Sequence, residues 1–346
     1  MSFFVQNLLT QYTTPPNNYI GSAFFLSYIV AALCLTSAIG YSLYTQYVNA
    51  FHSQPSSPPS KFKQNGAGKV ETRNARVQHI KIYTVLALVS FASISWHMLG
   101  FLITSLLDWN NSSTRNIFAM LGDNTFDKLK RWMLGTSLFN DFAVQLVGDG
   151  ESAVWTQLAI LATWVWNLWM GGKGRQYGFT AKTMVPFVIL GQNLPISFTA
   201  ALFIIQLHLA APDVAGNNKR RTQTHVQSKQ KPVASLMLPT ILLNATLLAQ
   251  PSLREHPGFS YFLLGERLLL LLPHTGLLRL SDADIKKSVA ISGGFVVANW
   301  AMLRKDTAVR DVLTALVYKG QAVKTMGWDV VLCTVVYGAL SWGGGV

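Results

Sequence analysis

Half of the 346 residues are hydrophobic and only 12% are charged. The apolar residues gather into blocks of about 20, the length that crosses a ~30 Å hydrocarbon layer as helix, which excludes an ordinary soluble domain. The net charge of +13 does not point to nucleic acid, because the basic residues lie mainly in loops between the blocks, where membrane orientation and anionic headgroups account for them. Cys34 and Cys333 both fall inside apolar blocks and support neither a disulfide framework nor a cysteine-rich metal site.

In chain order the blocks predict spans near 20–44, 81–107, 153–171, 183–209, 233–250, 258–278, 285–303 and 327–345. The fold expected is all-α, a polytopic transmembrane helical bundle of seven or eight spans, according to whether 258–278 crosses, in one integral membrane domain over 1–346. No cationic region precedes the first block and no small-residue cleavage pattern follows it, so that block reads as an anchor rather than a removable signal. Met1 to Tyr19 carries no charged side chain, whereas Lys61, Lys63, Lys69, Arg73 and Arg76 follow the span. Positive-inside bias then places the amino terminus on the luminal side.

Between the first two spans lies a flexible basic loop, about 48–78, with prolines, glycines and serines concentrated in Ser53 to Gly68. His97 in the second span has no ligand-spaced partner and reads as a hydrogen-bonded span residue. The next loop, about 108–152, is luminal in this topology. It contains the overlapping sequons Asn110-Asn111-Ser112-Ser113, which accept glycan only on that side and make the chain a candidate glycoprotein of the endoplasmic reticulum membrane. A glycosidase-sensitive mass shift should therefore vanish in the double variant Asn110→Gln/Asn111→Gln; labelling of this loop by a cytosol-restricted reagent would overturn the topology. The basic stretch Gly216 to Lys231 falls outside when eight spans are counted, against the bias. A re-entrant 183–209 segment broken at Gly191 and Pro195 would relocate it.

Residues able to carry chemistry begin in the luminal loop. Phe139 to Leu146 reads as a short amphipathic helix lying on the membrane, with Asp141 between Phe139 and Phe142. Partial desolvation there raises a carboxyl pKa toward values useful for proton donation, the alternative being a capping or solvated aspartate. Asn140-Asp141 also matches the start of the Asn-Asp-x-x-Asp-x-x-x-Asp motif with which intramembrane prenyltransferases hold magnesium, but Val144 and Gly148 stand where the later aspartates belong, so no metal site is expected. In the third span Trp155, Trp166 and Trp169 fall on one helical stripe, able to line a cavity that steadies carbocations or to anchor at the interface.

The fourth span contains Gly191-Gln192-Asn193-Leu194-Pro195-Ile196-Ser197, two amides beside a residue that removes a backbone donor. Gln206 and His208, near its end, read as interfacial. Glu266, Arg267 and Asp329 are charges inside spans and functional candidates by default, with Arg267 pairing to one carboxylate as the structural alternative. Ser281-Asp282-Ala283-Asp284 sits where it would cap the helix starting near Ile285.

Thr136 through Phe142, Trp155-Thr156-Gln157, Gly171-Gly172-Lys173-Gly174-Arg175 and Gly191-Gln192 through Ser197-Phe198 together resemble the membrane-bound terpene cyclases of fungal meroterpenoid biosynthesis, of the ascofuranone and macrophorin type. The likeness is densest over 132–210. It implies cyclisation of a prenyl chain, usually farnesyl on an aromatic or quinone-like polyketide, after protonation of a terminal epoxide or alkene, without a metal or other cofactor. Family members with Glu-Asp would offer two carboxylates where this chain has Asn140-Asp141, leaving Asp141 as the donor. Asp141 is thus the expected catalytic acid and Glu266 and Asp329 its competitors. Phe139, Phe142, Trp155, Gln157, Trp166, Gln192 and Asn193 are expected to bind a prenylated small molecule. Membrane lipid is the other expected partner. The rival readings are a multi-pass transporter or receptor using Glu266, Arg267 and Asp329, weakened by the lack of an internal repeat, and a metal-dependent prenyltransferase.

Overall fold

The computed structural model describes residues 14–51, 66–110, 124–211, 234–256, 258–303 and 308–342. Residues 52–65 of the expected basic loop, Asn111 to Ser113 of the sequons and the basic stretch 216–231 lie outside the described residues. What is described is helical: α1 (Tyr19–Phe51), α2 (Gly66–Trp109), α3 (Thr125–Gly135), α4 (Leu138–Leu146), α5 (Gly150–Gln176), α6 (Ala181–Asn193), α7 (Ile196–Ala210), α8 (Met237–Leu253), α9 (Phe259–Leu271), α10 (Asp282–Leu303), α11 (Val309–Tyr318) and α12 (Gln321–Trp342). No strand forms among the described residues, only an isolated bridge between Ala234 and Leu278.

Among the described residues three helices are long and apolar enough to cross a membrane: α1, the part of α2 from Asn74 to Trp109, and α12. They carry exposed apolar side chains, among them Phe24, Val30, Leu33, Val85, Leu88 and Tyr337. The interior instead holds Gln157, Asn167, Asn244, Gln250, Glu266 and Asp329. Apolar side chains exposed along these helices, with polar groups held inside among the apolar core, are what hydrocarbon surroundings favour, since water is not there to solvate outward-facing polar groups.

α7 is the axis of the bundle. It is apolar all round, and fourteen of its fifteen residues are buried, as a helix with no polar face requires. α2 packs along it, α12, α1 and α5 close around it, and α6 folds back on it. Gln206 and His208, expected at the membrane interface, are buried within the bundle. Gln206 exchanges amide hydrogen bonds with Gln46 of α1, at 2.9 and 3.1 Å, and His208 packs at a tilt against His79 and Tyr83 of α2.

The expected continuous fourth span is two helices. α6 with 13 residues and α7 with 15 reach only about 20 and 22 Å at 1.5 Å per residue, each short of a ~30 Å layer. The break falls at Leu194-Pro195, both extended, because Pro195 has no N–H to continue the ladder that Leu194 ends by donating to Leu190 O. The chain folds so sharply that a Cβ on Gly191 would lie 3.1 Å from Ile196 Cδ1.

Several local expectations hold. His97 Nδ1 is 3.0 Å from Gln321 Oε1. Ser281 begins α10 by accepting from Asp284 N–H at 3.2 Å and donating to the Asp284 carboxylate at 2.7 Å. At the amino-terminal end of α5, Asp149 accepts from Ser152 N–H, and Lys319 bridges Asp149 and Glu151 at 2.7 and 3.0 Å. Partial burial pushes the Asp149 carboxyl up, but these hydrogen bonds outweigh it and hold it at about 2.

Candidate functional site

A cleft of about 450 Å³ opens where the end of α2 meets α4. Its floor is the linker Thr136-Ser137, set by the start of α1: Asn18 caps α1 by accepting from Gly21 N–H, and its amide donates to Thr136 O at 2.9 Å. Ser22 Oγ donates to Met133 O, so the end of α3 is held against α1 as well. Gly135 leaves room for the Trp109 indole, whose Nε1 would be 2.8 Å from any Cβ placed there.

The short amphipathic helix expected at Phe139 to Leu146 is α4. Its inner face buries Leu138 and Leu146, and Phe142 meets Phe101 edge-on at 5.2 Å. Phe139 lies against Phe25 and Tyr28 of α1 at 5.9 and 6.0 Å. Asp141, in the first turn, takes the other face and lines the cleft with Thr104, Ser105, Thr136, Ser137 and Gln145. Desolvation by the cleft walls raises its carboxyl above the usual range. The Ser137 N–H bonded to the carboxylate and the amino-terminal end of the helix dipole pull the other way, and exposure of Asp141 at the cleft mouth limits the rise.

Asp108, not singled out in the sequence, lines the same cleft from the end of α2. Its only signal was its place at the carboxyl-terminal end of an apolar block. The aromatic walls beside Asp141 are Phe101 and Trp109, rather than the tryptophans of α5.

Those tryptophans and their neighbours sit elsewhere. Three consecutive side chains of α5 pin three different elements: Trp155 Nε1 donates to Val312 O at 2.7 Å, Thr156 Oγ1 to Leu146 O at 2.7 Å, and Gln157 Oε1 accepts from Asn299 at 2.7 Å. Trp166 and Trp169 meet edge-on at 5.3 Å within the main core around α7. Gly171 and Gly174 let Pro273 O and Met184 Sδ approach the end of α5, and Arg175 donates to Leu278 O and Pro273 O.

The buried carboxylates Asp329 and Glu266 are likewise outside the lining of the Asp141 cleft. Asp329, 7% exposed, accepts from the backbone N–H groups of Ile196 and Ser197 at 3.1 Å each, capping α7 from α12. Glu266, 2% exposed, accepts from Gln250. Arg267 pairs with neither carboxylate; it reaches the backbone carbonyl of Gln192 at 3.4 Å. Both side-chain polar atoms of Gln192 are buried without a partner, and Asn193 is half-buried beside the break. No protein-family model, curated protein or solved structure matches the chain.

Proposed function

We propose that the chain is a multi-pass terpene cyclase of the endoplasmic reticulum membrane, which cyclises the prenyl chain of a meroterpenoid precursor by protonating its terminal epoxide or alkene. The observation that carries this reading is Asp141 on the wall of a 450 Å³ cleft beside Phe101 and Trp109. Such a volume lies in the range of small-molecule sites. Protonation-initiated cyclisation needs an acid still protonated near neutral pH and aromatic faces for the developing cation, and burial moves Asp141 in that direction. Asp108 across the cleft supplies a second carboxyl in place of the one lost at Asn140, suited to hold the donor or accept the final proton. The likeness over 132–210 supports the same chemistry.

The experiment is expression in microsomes, addition of farnesylated phenols and their epoxides, and product analysis with and without EDTA. Cyclised product is expected in both conditions, because Val144 and Gly148 interrupt the only aspartate motif of the metal-binding type. Turnover abolished by EDTA and restored by magnesium would instead favour a metal-dependent prenyltransferase. Substrate flux without a changed product would favour a transporter.

A further inference from the structure

A second polar constellation lies inside the bundle, away from the Asp141 cleft. Along the seam of α8 and α10, Thr240 Oγ1 meets Ser288 Oγ at 2.7 Å and Asn244 Nδ2 donates to Ser292 Oγ at 3.0 Å. The paired numbers advance together, so the two helices run parallel here. Continuing the buried stripe on α8 from Asn244 through Leu247 brings Gln250 to the level of Asn299 on α10. On α5 the partners run the other way, Trp164 to Ser288 and Gln157 to Asn299. Gln157 and Asn299 thus meet directly, Gln250 falls near the level of Asn299 by the α8–α10 register, and Glu266 of α9 joins them through Gln250.

Gln157, Gln250 and Glu266 are each 2% exposed. Gln157 Nε2 is buried without a partner, and Glu266 Oε1 has near it only the Thr246 hydroxyl, whose one proton is given to Leu243 O at 2.7 Å. A buried polar atom left unpaired is costly, and these two have complementary needs. Oε1 accepts and Nε2 donates. A cation would face the amide N–H, and an anion would face the carboxylate. A hydroxyl satisfies both, donating to Oε1 and accepting from Nε2. Asn299 is only half-buried, which puts that side of the group nearest the outer surface, beside the exposed Val297 of α10.

We propose that Gln157, Gln250, Glu266 and Asn299 form an interior site that binds the hydroxyl of a neutral lipophilic alcohol or phenol. The site does not depend on the acid at Asp141, and its test measures binding without turnover, so failure of the cyclase reading leaves it standing.

Full-length protein in detergent is titrated with radiolabelled farnesol and with farnesyl methyl ether. Farnesol binding is expected to saturate, with the ether about tenfold weaker or worse, because an ether leaves Glu266 Oε1 unpaired. In Glu266→Met the alcohol's advantage over the ether should disappear, and in Gln157→Met both ligands should weaken. Equal affinity for alcohol and ether in the unmodified protein would overturn the site, even if neither variant folds. So would an absence of saturable farnesol binding, the result if water alone occupies the site, or an alcohol preference that survives in a folded Glu266→Met.

Discussion

Asp141→Asn is expected to lower cyclisation about 10²-fold or more, the usual contribution of a positioned general acid. The amide keeps the size of the side chain and its hydrogen-bonding reach, so the loss measures the proton rather than the packing. The pH profile separates donation from positioning. Burial raises the Asp141 carboxyl, so its acid form persists to higher pH than that of a free aspartate, and kcat/KM should fall on the alkaline side as that group ionises. That limb should be absent from the residual activity of Asp141→Asn. Asp108→Asn is expected to act more mildly and to move the limb without removing it, because Asp108 shares the cleft without the flanking phenylalanines. A near-normal Asp141→Asn beside a folded but inactive Glu266→Gln would move the acid to the interior and reject the cleft.

The helical class and the three helices long and apolar enough to cross a membrane were legible because a hydrophobic block of sufficient length has few alternatives to a helix. So was α4, where Leu138, Phe142 and Leu146 recur at helical spacing around a polar Asp141 face. The break in the fourth span was half-legible: Pro195 announces a missing donor, but no local signal says whether the helix kinks or turns back. That outcome depends on Asp329, 133 positions later, supplying acceptors for the new amino terminus. The functional grouping was less legible still. Asp108 shares a cleft with Asp141 through contacts between chain-distant residues with no periodicity: Asn18 and Ser22 tie the end of α3 to α1, and Trp132 of α3 donates to Ser105 of α2. The Trp155-Thr156-Gln157 run was readable as a motif. Its three separate structural bonds depend on where α4, α10 and α11 come to rest.

The largest stability effect is expected from Asp329→Leu. The N–H groups of Ile196 and Ser197 belong to the first turn of α7, where no preceding turn offers carbonyl partners, and the site is too buried for water to serve. Both oxygens of Asp329 are used there, one for each N–H. Leucine fills the volume but leaves two donors unpaired in the interior, at a cost of roughly 3 kcal/mol. Because α7 is the axis on which α1, α2, α5 and α12 pack, loosening its amino terminus should reduce both detergent-stable yield and melting temperature. Asp329→Asn retains one acceptor oxygen and should fall between leucine and the unmodified protein. That graded order distinguishes a cap from a catalytic carboxylate: a cap predicts that a folded Asp329→Asn keeps most of its turnover, whereas an acid predicts a stable but inactive variant. A melting temperature unchanged by Asp329→Leu would show that α7 does not need this cap.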